Sequence, residues 1–243
     1  MSELSNYIDE YLKTEYTLKS TLKDSVQSSV YLYQKNDSAK QIVKISQKNR
    51  NDHVLRRLRG QHHKNTATVY EVCSNDEDVT VLEEYISGAT LRHIVEANGG
   101  TLKRELAVKY ALDICNGLVF MHSLGIIHRD IKPSNIIITE QGEAVIIDFG
   151  IARLTDDSKY ADTKNLGTAG YAAPEQFGIY QSGPVTDIYA VGVLLNELLL
   201  GVHPTIDTPK GKLGKVINKC IMAQMSKRYQ NVSELAEVLN KLL

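Results

Sequence analysis

Three cysteines in 243 residues, Cys73, Cys115 and Cys220, are too few and too widely spaced to staple a fold. They form no CxxC pair, which argues against a disulfide framework or a zinc site and fits a reducing compartment. The N-terminus has no basic start followed by an apolar run, so no export signal is expected. Long apolar runs are missing too. The longest, Ile188 to Leu200, is interrupted by Asn196 and Glu197 and reads as a buried helix rather than a membrane span. No membrane segment and a cytoplasmic location are therefore expected. Neither sign of charge dominates: the formal net charge is -1, which implies no nucleic acid or other polyanionic partner. Repeats, low-complexity segments and long linkers are also lacking. A hydrophobic content of 42% is enough for a real core.

What is present changes character along the chain. Leu4, Tyr7, Ile8, Tyr11 and Leu12 recur at helical spacing, so residues 3–14 are expected to form an amphipathic helix packed on the body of the protein. Val30–Tyr33 and Gln41–Ile45 read as strands around a turn at Asn36, Asp37 and Ser38. On the second of these, Ile42 and Lys44 share a face. Val54, Leu55 and Leu58 make a short helical stripe, and Val79–Ile86 reads as a strand ended by Gly88. Ala107, Tyr110, Ala111, Ile114, Leu118 and Met121 then fall on one side of a long helix followed by Gly125. Ile136–Ile138 and Val145–Ile147 are β-branched runs around a turn at Gln141 and Gly142. Asp187–Leu200 is apolar nearly all round, and residues 233–243 predict a last amphipathic helix. Strands first and helices later indicate an α+β protein in two lobes.

The middle of the chain reads His128-Arg129-Asp130-Ile131-Lys132-Pro133-Ser134-Asn135, then Asp148-Phe149-Gly150, then Ala173-Pro174-Glu175. Each triplet alone is weak. In this order, with Lys44 far upstream, they resemble the catalytic loop, metal-binding motif and end of the activation segment of eukaryotic-like serine/threonine protein kinases. The Gly170-Tyr171-Ala172-Ala173-Pro174-Glu175-Gln176 wording is similar to bacterial members. The resemblance covers residue 16 to the end and implies one bilobal kinase domain. Residues 1–15 are its N-terminal helix, 16–86 a small β-rich lobe and 87–243 a larger helical lobe.

The resemblance also implies roles. Asp130 accepts or orients the proton of the attacking hydroxyl. Asn135 and Asp148 supply hard oxygens suited to Mg²⁺. Lys132 contacts the γ-phosphate of ATP, and Lys44 holds the α- and β-phosphates. Val30, Ile42 and Ile137 form an apolar slot for adenine, with Glu84 and Ile86 at the hinge. The partner is a protein carrying serine or threonine, with Thr168 at the docking position. Arg129 anchors the activation segment, whose Thr155, Ser158, Tyr160 and Thr163 are candidate phosphosites, Thr163 foremost. Glu175 and Arg228 resemble a buried ion pair, and Asp187 the aspartate that braces the catalytic loop.

Several positions depart from the pattern. Lys23, Ser25 and Ser28 stand where three glycines are usual, which suggests a stiffer or more open loop. No glutamate lies between Lys44 and Glu71 to pair with Lys44. Asp52 is the only acid there, and Glu83 is expected to guard the back of the nucleotide pocket and to pair with Lys44, alone or with Asp52. Ile42 replaces a small residue, so the adenine slot is tighter. His203–Lys212 offers loop residues where a further helix is common. The basic residues Lys48, Arg50, Arg56, Arg57, Arg59, His62, His63 and Lys64 read as a solvated face. Two other readings compete with an active kinase: a nucleotide-sensing or scaffolding pseudokinase, favoured by the lost glycines, and a small-molecule phosphotransferase, disfavoured by the Gly167–Tyr171 segment.

Overall fold

The computed structural model describes residues 3–26, 28–48, 52–74, 78–156, 167–177 and 181–243. The chain divides into two compact units. The first is Met1–His63 with Ala67–Ile86, and the second is Lys64–Thr66 with Ser87–Leu243. Arg50, Ser158, Tyr160 and Thr163 lie outside the described residues.

The first unit runs α1 (Glu3–Glu15), β1 (Tyr16–Asp24), β2 (Ser28–Lys35), β3 (Gln41–Lys48), α2 (Asp52–Leu58), β4 (Val69–Ser74) and β5 (Asp78–Glu84). The strands make one antiparallel sheet in the order β1-β2-β3-β5-β4. β1 was not expected from the sequence. Eight of its nine positions are exposed, so no buried alternation marks it as a strand. It is an edge strand held by pairing with β2.

The two helices cover opposite faces of this sheet. Ile8 and Leu12 of α1 are 2% exposed and pack with Tyr16, Ile42, Cys73 and Leu82. On the other side, Asp52 and Arg56 of α2 hydrogen-bond the Ser74 hydroxyl at 2.8 and 2.9 Å. Ser74 sits across from Val79, whereas Cys73 sits across from Thr80, so alternation points Ser74 away from the α1 cluster. Val54, Leu55 and Leu58 of α2 are buried and belong to no part of that cluster.

The second unit contains β6 (Gly88–Thr90), α3 (Leu91–Ala97), α4 (Arg104–Ser123), β7 (Ile126–Ile127), β8 (Ile136–Thr139), β9 (Ala144–Ile146), β10 (Arg153–Leu154), α5 (Pro184–Leu200), α6 (Gly211–Cys220) and α7 (Val232–Asn240). β6-β8-β9 form one small sheet and β10-β7 another. Asn65 joins this unit by donating its side-chain amide to Ala144 O at 2.9 Å and accepting from Ile146 N. α3 is capped by the Thr90 hydroxyl, which accepts from His93 N. α5 begins with Pro184 at its first position and ends at Gly201, whose φ of +69° suits a glycine after a helix. α4, α5, α6 and α7 pack on one another and supply most of this unit's core. Residues between Gly201 and Lys210 are not helical, as expected. The three cysteines are buried and unpaired by disulfides, and burial pushes the Cys220 thiol up to about 12. Among the described residues no helix is long and apolar enough to cross a membrane.

Gly192 lets α5 and α6 approach closely: a Cβ there would lie 2.5 Å from the Cβ of Cys220. Alanine is the better helix former by about 1 kcal/mol. Gly192→Ala is nevertheless expected to destabilise the protein by about 1–3 kcal/mol through overpacking. Equilibrium denaturant unfolding measures the sign directly.

Candidate active site

The site in the second unit is built on one buried carboxylate. Asp187, in the first turn of α5, is fully buried and accepts the backbone N–H groups of His128 (3.0 Å) and Arg129 (2.8 Å). His122 Nε2 lies 2.8 Å from Oδ2, the oxygen that also accepts from His128 N, and since a carboxylate only accepts, Nε2 carries the proton. Burial raises the Asp187 pKa, but the His122 hydrogen bond and charge, the His128 ring and the Arg129 N–H outweigh it. The net shift is below the ordinary aspartate value. Two adjacent N–H groups converging on one acceptor bend the chain sharply. Arg129 takes φ +70°, a conformation a non-glycine residue holds only when its surroundings impose it. The Arg129 carbonyl is fixed in turn by Gln176 Nε2 at 3.0 Å.

The turn that Asp187 imposes presents Asp130. Asp130 Oδ2 accepts from Lys132 Nζ at 2.7 Å and from Asn135 Nδ2 at 2.9 Å, and Oδ1 accepts from the Thr168 hydroxyl at 2.7 Å. Lys132 Nζ also donates to Thr168 Oγ1 at 2.7 Å, closing a triangle of aspartate, lysine and threonine. The Lys132 and Asp130 side chains keep 21% and 13% exposure, so both reach solvent. Asn135 lies in a single 3₁₀ turn, Pro133–Asn135, where proline suits the first position. Its amide nitrogen also donates to Asp130 O at 3.0 Å. With the nitrogen committed to two acceptors, the side-chain oxygen is the group left to face a ligand.

Asp148 follows directly. Ile147 N donates to Asn135 O at 2.9 Å, which places Asp148 one position beyond the asparagine. Asp148 is exposed, has φ +66°, and accepts from Gly150 N at 3.0 Å. Phe149 is buried edge-on to the His128 ring, with centroids 6.0 Å apart. Ile137, on β8, is half-buried and pairs with Thr90 and Val145. Below the site, Arg228 donates two parallel hydrogen bonds to Glu175 at 2.7 and 2.8 Å, and the Thr186 hydroxyl adds a third at 2.9 Å. Both partners of this ion pair are almost fully buried.

The residues expected from the first unit are arranged differently. Lys44 Nζ donates to Asp9 Oδ1 of α1 at 2.5 Å, not to Glu83 or Asp52. The register explains why. Lys44 lies across from Leu82 and Val43 across from Glu83, so Lys44 and Glu83 point to opposite faces of the sheet. Asp52 is on the α2 side, bonded to Arg56 and Ser74. The apolar pairing of Val30 with Ile42 is likewise not formed. Val30 lies across from Ile45, whereas Ile42 lies across from Tyr33, so the two face opposite ways. Ile42 is sealed under α1. Glu84 is half-buried and accepts from Thr68 N at 3.2 Å, and Ile86 is half-buried just past β5. Ser25 and Ser28 are joined by three mutual hydrogen bonds of 2.9–3.1 Å. Asp9 was missed because the partner of Lys44 was sought at Glu83 on β5, alone or with Asp52 on α2. The helical stripe of α1, which predicts that this helix packs on the body, was the available signal.

The chain belongs to the protein kinase domain family, whose model matches residues 15–243. It is similar to the probable serine/threonine-protein kinase CPE1738 of Clostridium perfringens, 32% identical over 235 residues, covering 84% of this chain and 34% of that protein. It is 42% identical over 127 residues to the probable serine/threonine-protein kinase PknB of Bifidobacterium longum, covering 51% of this chain and 18% of that one. PknB of Mycolicibacterium smegmatis is 40% identical over 133 residues, 53% of this chain and 21% of its own length. The chain thus spans about a third or less of these relatives.

Two outcomes test the scaffold. Arg228→Ala is expected to cost about 3–5 kcal/mol, because it leaves Glu175 buried without a counter-charge. Calorimetric unfolding against Glu175→Gln/Arg228→Met, which removes both charges and should lose less, checks that cause. The depressed pKa of Asp187 contributes stability above the unfolded value of about 4, lost as pH falls through the folded value. Asp187→Asn should therefore flatten the acid limb of a stability–pH profile.

Proposed function

We propose that this chain transfers the γ-phosphoryl group of ATP to serine or threonine hydroxyls of proteins. The observation that carries this reading is the closed triangle of Asp130, Lys132 and Thr168, with Asn135 bound to the same carboxylate. Phosphoryl transfer asks a protein for positioning and charge neutralisation more than for covalent participation. Asp130 is held by three donors in one orientation, with an oxygen lone pair available to accept the proton of an incoming hydroxyl. Thr168 already places a hydroxyl 2.7 Å from that carboxylate, which marks the distance a substrate hydroxyl takes. Lys132 brings a positive charge beside Asp130 and offsets negative charge that develops on the transferred group.

Mg²⁺ fits the donors. The Asn135 side-chain oxygen and the exposed Asp148 carboxylate are hard ligands. Among the described residues no group of three or more His, Cys, Asp or Glu forms a protein cage. That suits an ion whose remaining ligands are phosphate and water. Bound there, the ion would neutralise phosphate charge. Asn135 and Asp148 would fix it relative to Asp130.

Purified protein incubated with labelled ATP, Mg²⁺ and a generic basic protein should incorporate phosphate on serine and threonine, and not tyrosine. Asp130→Ala should lower that rate by about 10²–10⁴-fold with little change in unfolding midpoint. Equal rates in the two proteins would overturn the proposal.

A further inference from the structure

We propose that the first unit carries a ligand site of its own, a pocket between α1 and the sheet that takes a small monoanion with a flat apolar body, such as an aryl carboxylate. The pocket lies wholly within this unit, and none of the residues assigned to phosphoryl transfer in the second unit lines it. Its volume is about 330 Å³, within the range that holds a small organic molecule. The floor is apolar: Ile8 of α1, Ile42 of β3 and Leu82 of β5 line it, and all three are buried.

Three tyrosines form the walls. Tyr16, the first residue of β1, sets its ring 5.7 Å from that of Tyr11 on α1. Burial and a hydrogen bond to Tyr11 push the Tyr16 hydroxyl up to about 12, so at neutral pH it stays protonated. The Tyr11 hydroxyl accepts that bond and keeps its own proton to give. Tyr70 arrives by a different route. In a regular strand Tyr70 and Glu71 would point to opposite faces. β4 bulges between Val69 and Glu71, which leaves Tyr70 without a partner on β5. Such a bulge re-aims a side chain, and here both Tyr70 and Glu71 reach the pocket.

Charge selects the ligand. Lys40 is exposed, and its Nζ stands 4.2 Å from the centroid of the Tyr70 ring. Among the described residues no acid pairs with it. Glu71 is already paired: it accepts from Arg59 Nη1 at 2.8 Å and from Val72 N at 3.0 Å. The uncompensated charge at the pocket is therefore positive. A cation among the tyrosine rings would meet the Lys40 ammonium already seated on Tyr70. A carboxylate gains that ammonium and a hydroxyl donor, while a planar body covers Ile42 and Leu82 between aromatic rings.

Titration calorimetry of the full chain with naphthoate, naphthamide and naphthylmethylammonium tests the site, beside thermal unfolding. Naphthoate should bind more tightly than the other two and raise the unfolding midpoint, since only the folded chain has the pocket. Lys40→Met should weaken naphthoate by about threefold or more, the scale of a partly exposed ion pair, and leave naphthamide unchanged. Tyr11→Ala should weaken both by about the same factor through lost ring contact. Because Lys40 is exposed, its variant keeps the fold and decides the charge even where Tyr11→Ala loosens α1. Naphthoate that shows no saturable binding overturns the assignment. So does tighter binding of the amide or the cation, or a folded Lys40→Met that holds naphthoate as tightly as wild type.

Discussion

A carboxylate with no access to water organises this molecule. Asp187 stays charged in the core because three donors meet it there, and losing any one would leave part of its desolvation cost unmet. It also ties α5 to α4 through His122 and to the loop after β7 through two peptide N–H groups. The geometry of the candidate site follows. Positive φ at Arg129 turns the chain, and Asp130 emerges next to it with a free edge. The positive-φ residues are Arg129, directly before Asp130 and buried, and Asp148 itself, so the backbone strain sits at the site's acidic groups.

The same helix that carries Asp187 also carries the second brace. Thr186, one residue earlier, donates to Glu175, which Arg228 grips with both nitrogens. Gln176, adjacent to Glu175, reaches the Arg129 carbonyl. Thr168 approaches Asp130 from the segment that ends at this pair. The ion pair is thus no source of net stability in itself, since burying two charges roughly cancels their attraction. It acts as a register pin that sets where residues 167–177 lie against the loop of Asp130.

Much of the second unit was legible in the sequence because its informative residues are polar groups in places where polarity needs a reason. Asp130, Asn135, Asp148, Glu175, Asp187 and Arg228 stand out against apolar surroundings, and their order is specific. Secondary structure was legible where one face is apolar, as in α4 and α7. α3, seven residues long, was not, because so short a helix offers barely two turns of pattern. β1 was not, because its stability comes from pairing with β2 rather than from burial of its own side chains.

The first unit failed to read correctly for a sharper reason. Alternation tells which residues of a strand share a face but not which way that face points, unless one set is polar. In β3 both sets are apolar: Ile42 on one side, Val43 and Ile45 on the other. Lys44 therefore could be assigned to either side, and the family resemblance, with Glu83 as the expected partner, decided the choice. In the structure α1 decides it. Ile8 and Leu12 need an apolar face, and Ile42 with Leu82 and Cys73 provides one next to Tyr16, where α1 enters the sheet. That choice carries Lys44 with it, since a strand cannot turn one side chain without turning its neighbours. A lysine brought so near the core then requires an acid within reach, and α1 has Asp9 one residue from Ile8. The glutamate lacking from α2 and the aspartate present on α1 are two consequences of one decision about which face of β3 is covered.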